Sequence, residues 1–489
     1  MPSLLELLGD LPRTLIGGGN PEITGISYDS RRVQPGHLFC ALPGQHENGA
    51  AFIDEAVRLG AAAVLTSAPA KVSCPQAVVG DPLLATALVS AAFFGHPSER
   101  LTVVGVTGTN GKTTFCSLFE SILREAGHPC GVIGTIDYRL GEKSRPATRT
   151  TPLASDLQAL LKEFAEQGAT HVAMEASSHA LALKRTDGIR FAAAVFTNLT
   201  QDHLDFHGTL EAYFEAKSRL FDLLASGPEG RERTAIINAD DRWGRKLLRR
   251  VKTKTVSYGT GLSSALRAAS IRTSVSGTHF MLIEEGRTQA VSLKLLGVHN
   301  VYNALAAWGA ARAIGVDTGT AIEGLQALEG VPGRFEKVSG PGDPAVVVDY
   351  AHTADALERV LETARSLKPR KLAVVFGCGG DRDRGKRPLM GEVAARFADH
   401  VILTSDNPRS EDPGKILLDI EVGLRRVKTT GYEILPDRAE AIRKAIESAG
   451  ARDLILIAGK GHETTQIYAD RTVPFDDRAV AREVLGRRT

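Results

Sequence analysis

The chain has 489 residues, 43% of them hydrophobic and 24% charged, with a formal net charge of +2. That is the make-up of an ordinary globular protein, too long for a single core and too nearly neutral to offer nucleic acid a basic face, so three folding units and locally held anionic ligands are expected. Five scattered cysteines show no CxxC or Cys/His metal spacing and read as reduced thiols, while Glu6 and Asp10 stand where a signal peptide would be basic and then apolar. No apolar run reaches the roughly 18 residues needed to cross a bilayer, so a cytoplasmic protein without membrane or nucleic-acid partners is the expectation.

Residues 1–98 hold short β-rich pieces at 23–28 and 37–42 and a helical stretch at 52–59, which predicts a small N-terminal α/β domain. His96-Pro97-Ser98 interrupts the helical run before it, and an apolar strand at 101–106 opens a second unit. Across 99–333, β runs at 171–175, 192–197 and 235–238 alternate with helices such as 156–167, the pattern of a mostly parallel sheet covered by helices. The breaker-rich Glu329-Gly330-Val331-Pro332-Gly333 precedes a third series, with strands expected at 345–349, 371–376, 400–404 and 453–457. Residues 334–489 therefore read as a Rossmann-like, doubly wound sheet.

The segment Gly105-Val106-Thr107-Gly108-Thr109-Asn110-Gly111-Lys112-Thr113-Thr114 runs from a strand into an amphipathic helix expected at 115–126. Glycines let backbone N–H groups face phosphates, the helix N-terminus adds positive potential, Lys112 reaches the outer phosphates, and Thr113 can hold Mg²⁺. Val106 stands where the strict pattern has a first glycine, yet strand, Gly-Lys-Thr-Thr and helix coincide. ATP is the expected ligand.

A helix expected at 210–224 places Leu210, Phe214, Phe221 and Leu224 at helical spacing with Lys217 on the same stripe. A lysine there must snorkel, pair with a carboxylate, lose its proton or be chemically converted. Carbamylation by CO₂ would turn the cation into an anion able to help coordinate Mg²⁺, with His203, 14 residues earlier, as a second polar ligand. Glu175 ends the strand at 171–175, where parallel sheets place ligands; it is either a cap or solvent-facing carboxylate, or a Mg²⁺ ligand beside the γ-phosphate.

Taken together, Gly105 to Thr114, Glu175-Ala-Ser-Ser-His179, Asp202-His-Leu-Asp-Phe-His207 and Tyr213-Phe-Glu-Ala-Lys217 resemble the Mur ligase family, which also includes folylpolyglutamate synthases. The resemblance continues through His299-Asn300-Val-Tyr-Asn303, Gly333-Arg334-Phe335-Glu336 and Asp349-Tyr-Ala-His352, and so spans nearly the whole chain in order. It implies a central P-loop ATPase domain in which Gly108 to Thr114, with Asn303, Arg334 and Asp349, contact ATP. It further implies that Glu175 and His203 bind metal and that Lys217 is carbamylated.

Within the family the motifs are most similar to the diaminopimelate-adding branch. Tyr28-Asp29-Ser30-Arg31-Arg32, Gly36 to Phe39 and Gly44-Gln45-His46-Glu-Asn-Gly49 resemble its UDP-binding segment. Thr150, Thr151, Ser177 and Arg185 match positions that hold the muramoyl-peptide, with Leu183 where some members have glutamine. For the incoming amino acid the resemblance points to Asp406-Asn407-Pro408-Arg409, Arg382, Gly459 and Glu463; read alone, Asp-Asn-Pro-Arg is also simply a good turn. Arg409 suits meso-diaminopimelate, whose second carboxylate a guanidinium can grip with two hydrogen bonds.

The expected reaction is therefore ATP-dependent addition of meso-diaminopimelate to a UDP-muramoyl dipeptide through an acyl phosphate, by a monomer acting on small molecules. A lysine-adding relative would need an acidic or neutral selector at Arg409, and a folylpolyglutamate synthase would have no use for the N-terminal unit. A P-loop switch would not require Lys217 or the 202–207 cluster.

Overall fold

The computed structural model describes residues 1–44, 47–227, 232–340 and 342–487. Gln45 and His46, two of the residues expected to touch UDP, lie outside the described residues.

Three main sheets follow one another along the chain. The first has five strands in the spatial order Arg13–Ile16, Gln76–Val79, Ala63–Thr66, His37–Cys40 and Gly25–Ser27. All its pairings are parallel except that of the edge strand Arg13–Ile16. The helix Pro82–Phe93 packs on one face through Ala85 and Val89.

The second sheet has eleven strands. Its parallel centre runs Cys130–Ile133, His171–Glu175, Thr102–Thr107, Phe191–Phe196, Thr234–Asn238 and Lys254–Gly259. Four of them, Thr102–Thr107, His171–Glu175, Phe191–Phe196 and Thr234–Asn238, are buried on both faces and so read as continuous apolar runs, which is why they were visible in the sequence. One face is covered by Lys112–Glu125 and Val298–Ala313 through Phe115, Phe119, Leu305 and Trp308. The other is covered by Ala154–Glu166 and Leu210–Ala225 through Leu161, Phe164, Phe214 and Phe221. Each such side chain contributes about 1.5–3 kcal/mol by leaving water. Antiparallel strands extend both edges, Asp137–Leu140 and Lys143–Pro146 on one side and the Leu266–Leu293 meander on the other.

The third sheet orders its strands Glu336–Lys337, Ala345–Asp349, Leu454–Ala458, Leu372–Phe376, His400–Leu403 and Tyr432–Ile434, parallel apart from the first. Its last helix, Asp477–Gly486, is fastened beneath the strand ends by Arg438 and Asp477, whose side chains are both 0% exposed and pair at 2.7 Å. Arg438 also donates to the Ala458 carbonyl at 2.9 Å, so the guanidinium is well satisfied. Truncating one partner of a buried pair strands the other charge. Asp477→Ala is therefore expected to cost about 3–5 kcal/mol, read as a lower urea midpoint by far-UV circular dichroism.

Candidate active site

The strand Thr102–Thr107 lies between His171–Glu175 and Phe191–Phe196, so the chain leaves it at the point where strand order reverses, where open parallel sheets form a crevice. Gly108 to Gly111 turn there, and Lys112 begins the helix. Gly111 has φ +91°, and a Cβ on it would stand 2.3 Å from Asn303 Oδ1. Asn303, on the helix Val298–Ala313, is held by Asn300 Oδ1 at 3.0 Å, so the loop and that helix fit only with glycine between them.

Two lysines converge on this loop. Lys112 Nζ donates to the Gly108 and Thr109 carbonyls, each at 2.9 Å, and Lys217 Nζ donates to the same Gly108 oxygen at 2.8 Å. Lys217 is 1% exposed, lies 4.5 Å from the Tyr213 ring centroid and forms no ion pair among the described residues. Burial, reinforced by the charge of Lys112, pushes its pKa well below that of an ordinary lysine. Burial likewise lowers that of Lys112. Two lysine nitrogens on one carbonyl oxygen, with no carboxylate paired to either among the described residues, form a site short of negative charge.

Glu175 ends its strand facing this point. Its Oε1 accepts from Thr113 Oγ1 at 2.9 Å and from the Thr135 amide at 3.0 Å, and its Oε2 accepts from Thr135 Oγ1 at 2.9 Å. Oxygen ligands at adjacent corners of a Mg²⁺ octahedron stand about 3 Å apart, so the spacing of Thr113 and Glu175 fits that ion. His203 has a left-handed backbone and sits 3.5 Å from Asp202, with ring centroids 4.8 Å from His179 and 6.2 Å from Tyr213. Its pKa is lowered, chiefly by burial. No three His, Cys, Asp or Glu side chains gather as a metal site among the described residues.

Beside Glu175 lies a second group. Thr151 Oγ1 donates to the Glu175 carbonyl at 2.7 Å and accepts from the Ser177 amide at 3.1 Å, Arg185 Nη1 donates to the Thr151 carbonyl at 3.2 Å, and Thr150 meets Thr135 at 3.1 Å. Ser177 also caps the short helix Ser178–Ala182, which ends at Leu183. The Arg185 Nε is buried without a partner, and burial together with the neighbouring Arg149 brings its pKa down to about 10. Tyr28 reaches this group from the first sheet's side, its hydroxyl bound to Asp156. Ser30 does not; its hydroxyl donates to Glu55 at 2.6 Å within its own unit.

The third sheet brings four strand ends together: Asp349 to His352, Gly377 to Arg384, Thr404 to Arg409, and Gly459 to Glu463. Asn407 accepts from Lys460 Nζ at 3.0 Å and donates to Glu463 Oε2 at 2.8 Å. Asp406 accepts from the Asn407 amide at 2.7 Å, and a Cβ on Gly459 would crowd its Oδ2. Pro408 turns the chain so that Arg409 donates to the Gly380 carbonyl at 2.8 Å. Arg409 and Arg382 form no ion pair among the described residues.

Arg334 joins the two halves, donating to Thr113 Oγ1 at 3.2 Å while lying 4.8 Å over the Tyr350 ring. Asp349, pushed up to about 6 by burial, accepts from the Phe335 and Ala351 amides at 2.6 and 2.7 Å and so pins the segment carrying Arg334. Asp355 adds a second link, accepting from Thr200 at 2.9 Å and Asn110 at 3.5 Å. Sequence reasoning missed Thr135 and Asp355, for neither of which a motif or spacing gave a local signal; Tyr213 and Lys460 lay inside motifs it quoted but were given no role. A cavity of about 450 Å³ lined by Arg100, Arg190 and Arg233 opens at the amino ends of the central strands, away from these groups.

Fold and site thus define a P-loop nucleotide-dependent enzyme with unneutralised arginines at the strand ends of its third sheet. Residues 22–103 match the Mur ligase family catalytic domain, residues 106–311 the Mur ligase middle domain, and residues 333–461 the Mur ligase glutamate ligase domain. The chain belongs to the Mur ligase family and is an ATP-dependent ligase. It is 47% identical over 478 residues to the UDP-N-acetylmuramoyl-L-alanyl-D-glutamate–2,6-diaminopimelate ligase of Solibacter usitatus, covering 97% of this chain and 96% of that one. A solved structure of a protein of that name is 37% identical, with TM-score 0.70 over 95% of each chain. MurF from Thermotoga maritima in complex with ADP shares the fold at 21% identity, with TM-score 0.62 over 94% of this chain and 96% of that one.

Gly111→Ala is expected to weaken binding of a non-hydrolysable ATP analogue at least about tenfold, since the left-handed backbone alone costs about 1–2 kcal/mol for a residue with a Cβ and Asn303 must also move. Titration calorimetry checks this, with far-UV circular dichroism expected to stay unchanged.

Proposed function

We propose that this protein adds meso-2,6-diaminopimelate to the D-glutamyl side-chain carboxylate of UDP-N-acetylmuramoyl-L-alanyl-D-glutamate, consuming ATP; the name of its relative pairs that precursor with 2,6-diaminopimelate. The observation that carries the reading is the convergence of Lys112 and Lys217 on the Gly108 carbonyl, together with Arg382 and Arg409 at the third sheet's strand ends, which have no carboxylate of their own among the described residues.

ATP phosphates supply the negative charge that the two lysines lack, held by the loop amides of Gly108 to Thr114 and by the helix N-terminus. Asn303, Arg334 and Asp349 line the nucleotide at the junction of the two sheets. Thr150, Thr151, Ser177 and Arg185 hold the muramoyl-dipeptide, with Tyr28, Ser30, Gln45 and His46 reserved for its UDP end. The D-glutamyl carboxylate attacks the γ-phosphorus, the bond to ADP breaks, and an acyl phosphate results. Lys112 moves from the loop carbonyls to the developing negative charge.

Mg²⁺, when bound by Thr113, Glu175 and phosphate oxygens, supplies further charge neutralisation at the transferring phosphoryl group. The lowered pKa of Lys217 favours the amine form, which is the form that reacts with CO₂; its carbamate would be an anionic ligand, and His203 a neutral one, for a second ion.

Arg409 and Arg382 receive the distal carboxylate of diaminopimelate, while Asp406, Asn407 and Glu463 orient its ammonium beside Pro408 and Gly459. The free amine then attacks the acyl carbon and phosphate leaves. Closure through Arg334 and Asp355 keeps water from the acyl phosphate.

The test is phosphate release with the UDP-muramoyl dipeptide and a panel of amino acids. Turnover is expected with meso-diaminopimelate and at least about tenfold less with lysine, given about 1.5–3 kcal/mol for a lost hydrogen bond to a charged group. Equal ATP consumption without any amino acid contradicts the proposal. Lys217→Ala is expected to lose activity and to regain part of it with formate or acetate, whose carboxylate takes the place of the carbamate; an unrescued variant argues against that role.

A further inference from the structure

Four arginines surround the amino-acid pocket, yet only two are charge-neutralised. Glu411 takes Arg387 Nη2 at 2.8 Å and Nη1 at 3.0 Å and Arg384 Nη2 at 2.8 Å, whereas Arg382 and Arg409 bind only backbone carbonyls. Arg387 is 0% exposed and also donates to Asp419 at 2.9 Å, so the Glu411 carboxylate rests on a fixed cation. Its second role is backbone: Oε1 accepts from the Asp381 amide at 2.7 Å, at the crest of the loop that carries Arg382.

That loop is stitched to the Arg409 loop at every step. The Gly380 amide donates to the Asn407 carbonyl at 2.9 Å, Arg409 Nη1 donates to the Gly380 carbonyl at 2.8 Å, and Ser410 Oγ donates to Asp381 Oδ1 at 2.6 Å. The approach is so close that a Cβ on Gly380 would lie 1.9 Å from the Pro408 carbonyl oxygen. Around a Cβ placed on Gly379, Arg409 Nη1 stands at 2.9 Å and Arg382 Cγ at 3.8 Å, so the two unneutralised arginines flank one backbone position.

We propose that Glu411 is a positioning residue for amino-acid selection. It holds the Gly379–Arg384 loop against the Asp406–Arg409 loop and neutralises Arg384 and Arg387, leaving Arg382 and Arg409 alone to receive an acceptor carboxylate. The inference rests on the reading that the acceptor is a diamino acid with a second carboxylate. Full hydrogen bonding by two guanidiniums and an amide holds the Glu411 carboxyl down to about 2, so the clamp stays ionised throughout the working pH range.

The experiment is steady-state kinetics on the full chain. Wild-type turnover of meso-diaminopimelate tests the underlying reading by itself. Glu411→Gln keeps the side-chain shape and the acceptor for the Asp381 amide but removes the charge. It is expected to raise KM for meso-diaminopimelate about tenfold, with kcat and the KM values for ATP and the dipeptide within about twofold. In an Arg409→Ala background the same substitution is expected to add a smaller factor than in the wild type, because one of the two arginines through which Glu411 acts is gone. Ser410→Ala, at the exposed end of the stitch, is expected to shift the same KM about threefold and serves if Glu411→Gln does not fold. Parallel rises in all three KM values, or an undiminished effect in the Arg409→Ala background, overturn the proposal.

Discussion

Two lysine side chains sharing one carbonyl oxygen dominate this structure. Lys112 comes from the helix that follows the phosphate loop and Lys217 from a helix on the opposite face of the same sheet, and both end on Gly108. Burial strips their hydration, and their mutual repulsion adds to that cost, so the fold maintains a place where negative charge is welcome. The rest of the central sheet serves to hold those helices in register. Four of its strands are buried on both faces, and Gly111 lets Asn303 press against the loop.

The same economy of charge is repeated in the third sheet. Its strand ends gather several basic side chains, and acidic residues select which remain free. Lys460 is taken by Glu463 and Asn407, Arg438 by Asp477, and Arg384 and Arg387 by Glu411. What is left faces the crevice. A pocket of this kind recognises an acceptor by what its neighbours have not neutralised, which makes its second tier of residues as decisive as the first.

Arg334 couples the two regions with little material. One guanidinium touches Thr113 in the nucleotide loop and lies over Tyr350 at the start of the third sheet's crevice, while Asp349 holds its backbone from behind. Asp355, on that sheet's first helix, adds a polar link to Thr200 and Asn110, and Thr363 of the same helix meets His299 at 3.4 Å. Such sparse contacts suit units that must approach and separate as substrates enter and products leave.

Strand, glycine loop and helix around Lys112 were legible in the sequence because they depend on local order: period, breaker and motif lie within a few residues of one another. The doubly buried strands at 171–175 and 345–349 were equally plain as unbroken apolar runs. The antiparallel meander Leu266–Leu293 was not, since its alternating, half-exposed residues carry a weak signal. Sequence alone also determined that Lys217 sits on an apolar stripe, because helical spacing requires it. Only the tertiary structure decided what that lysine meets, which arginines stay unpaired, and that Tyr28 turns toward Asp156 while Ser30 stays with Glu55. Each of those outcomes depends on atoms that sequence separation keeps apart and chain packing brings within hydrogen-bond reach.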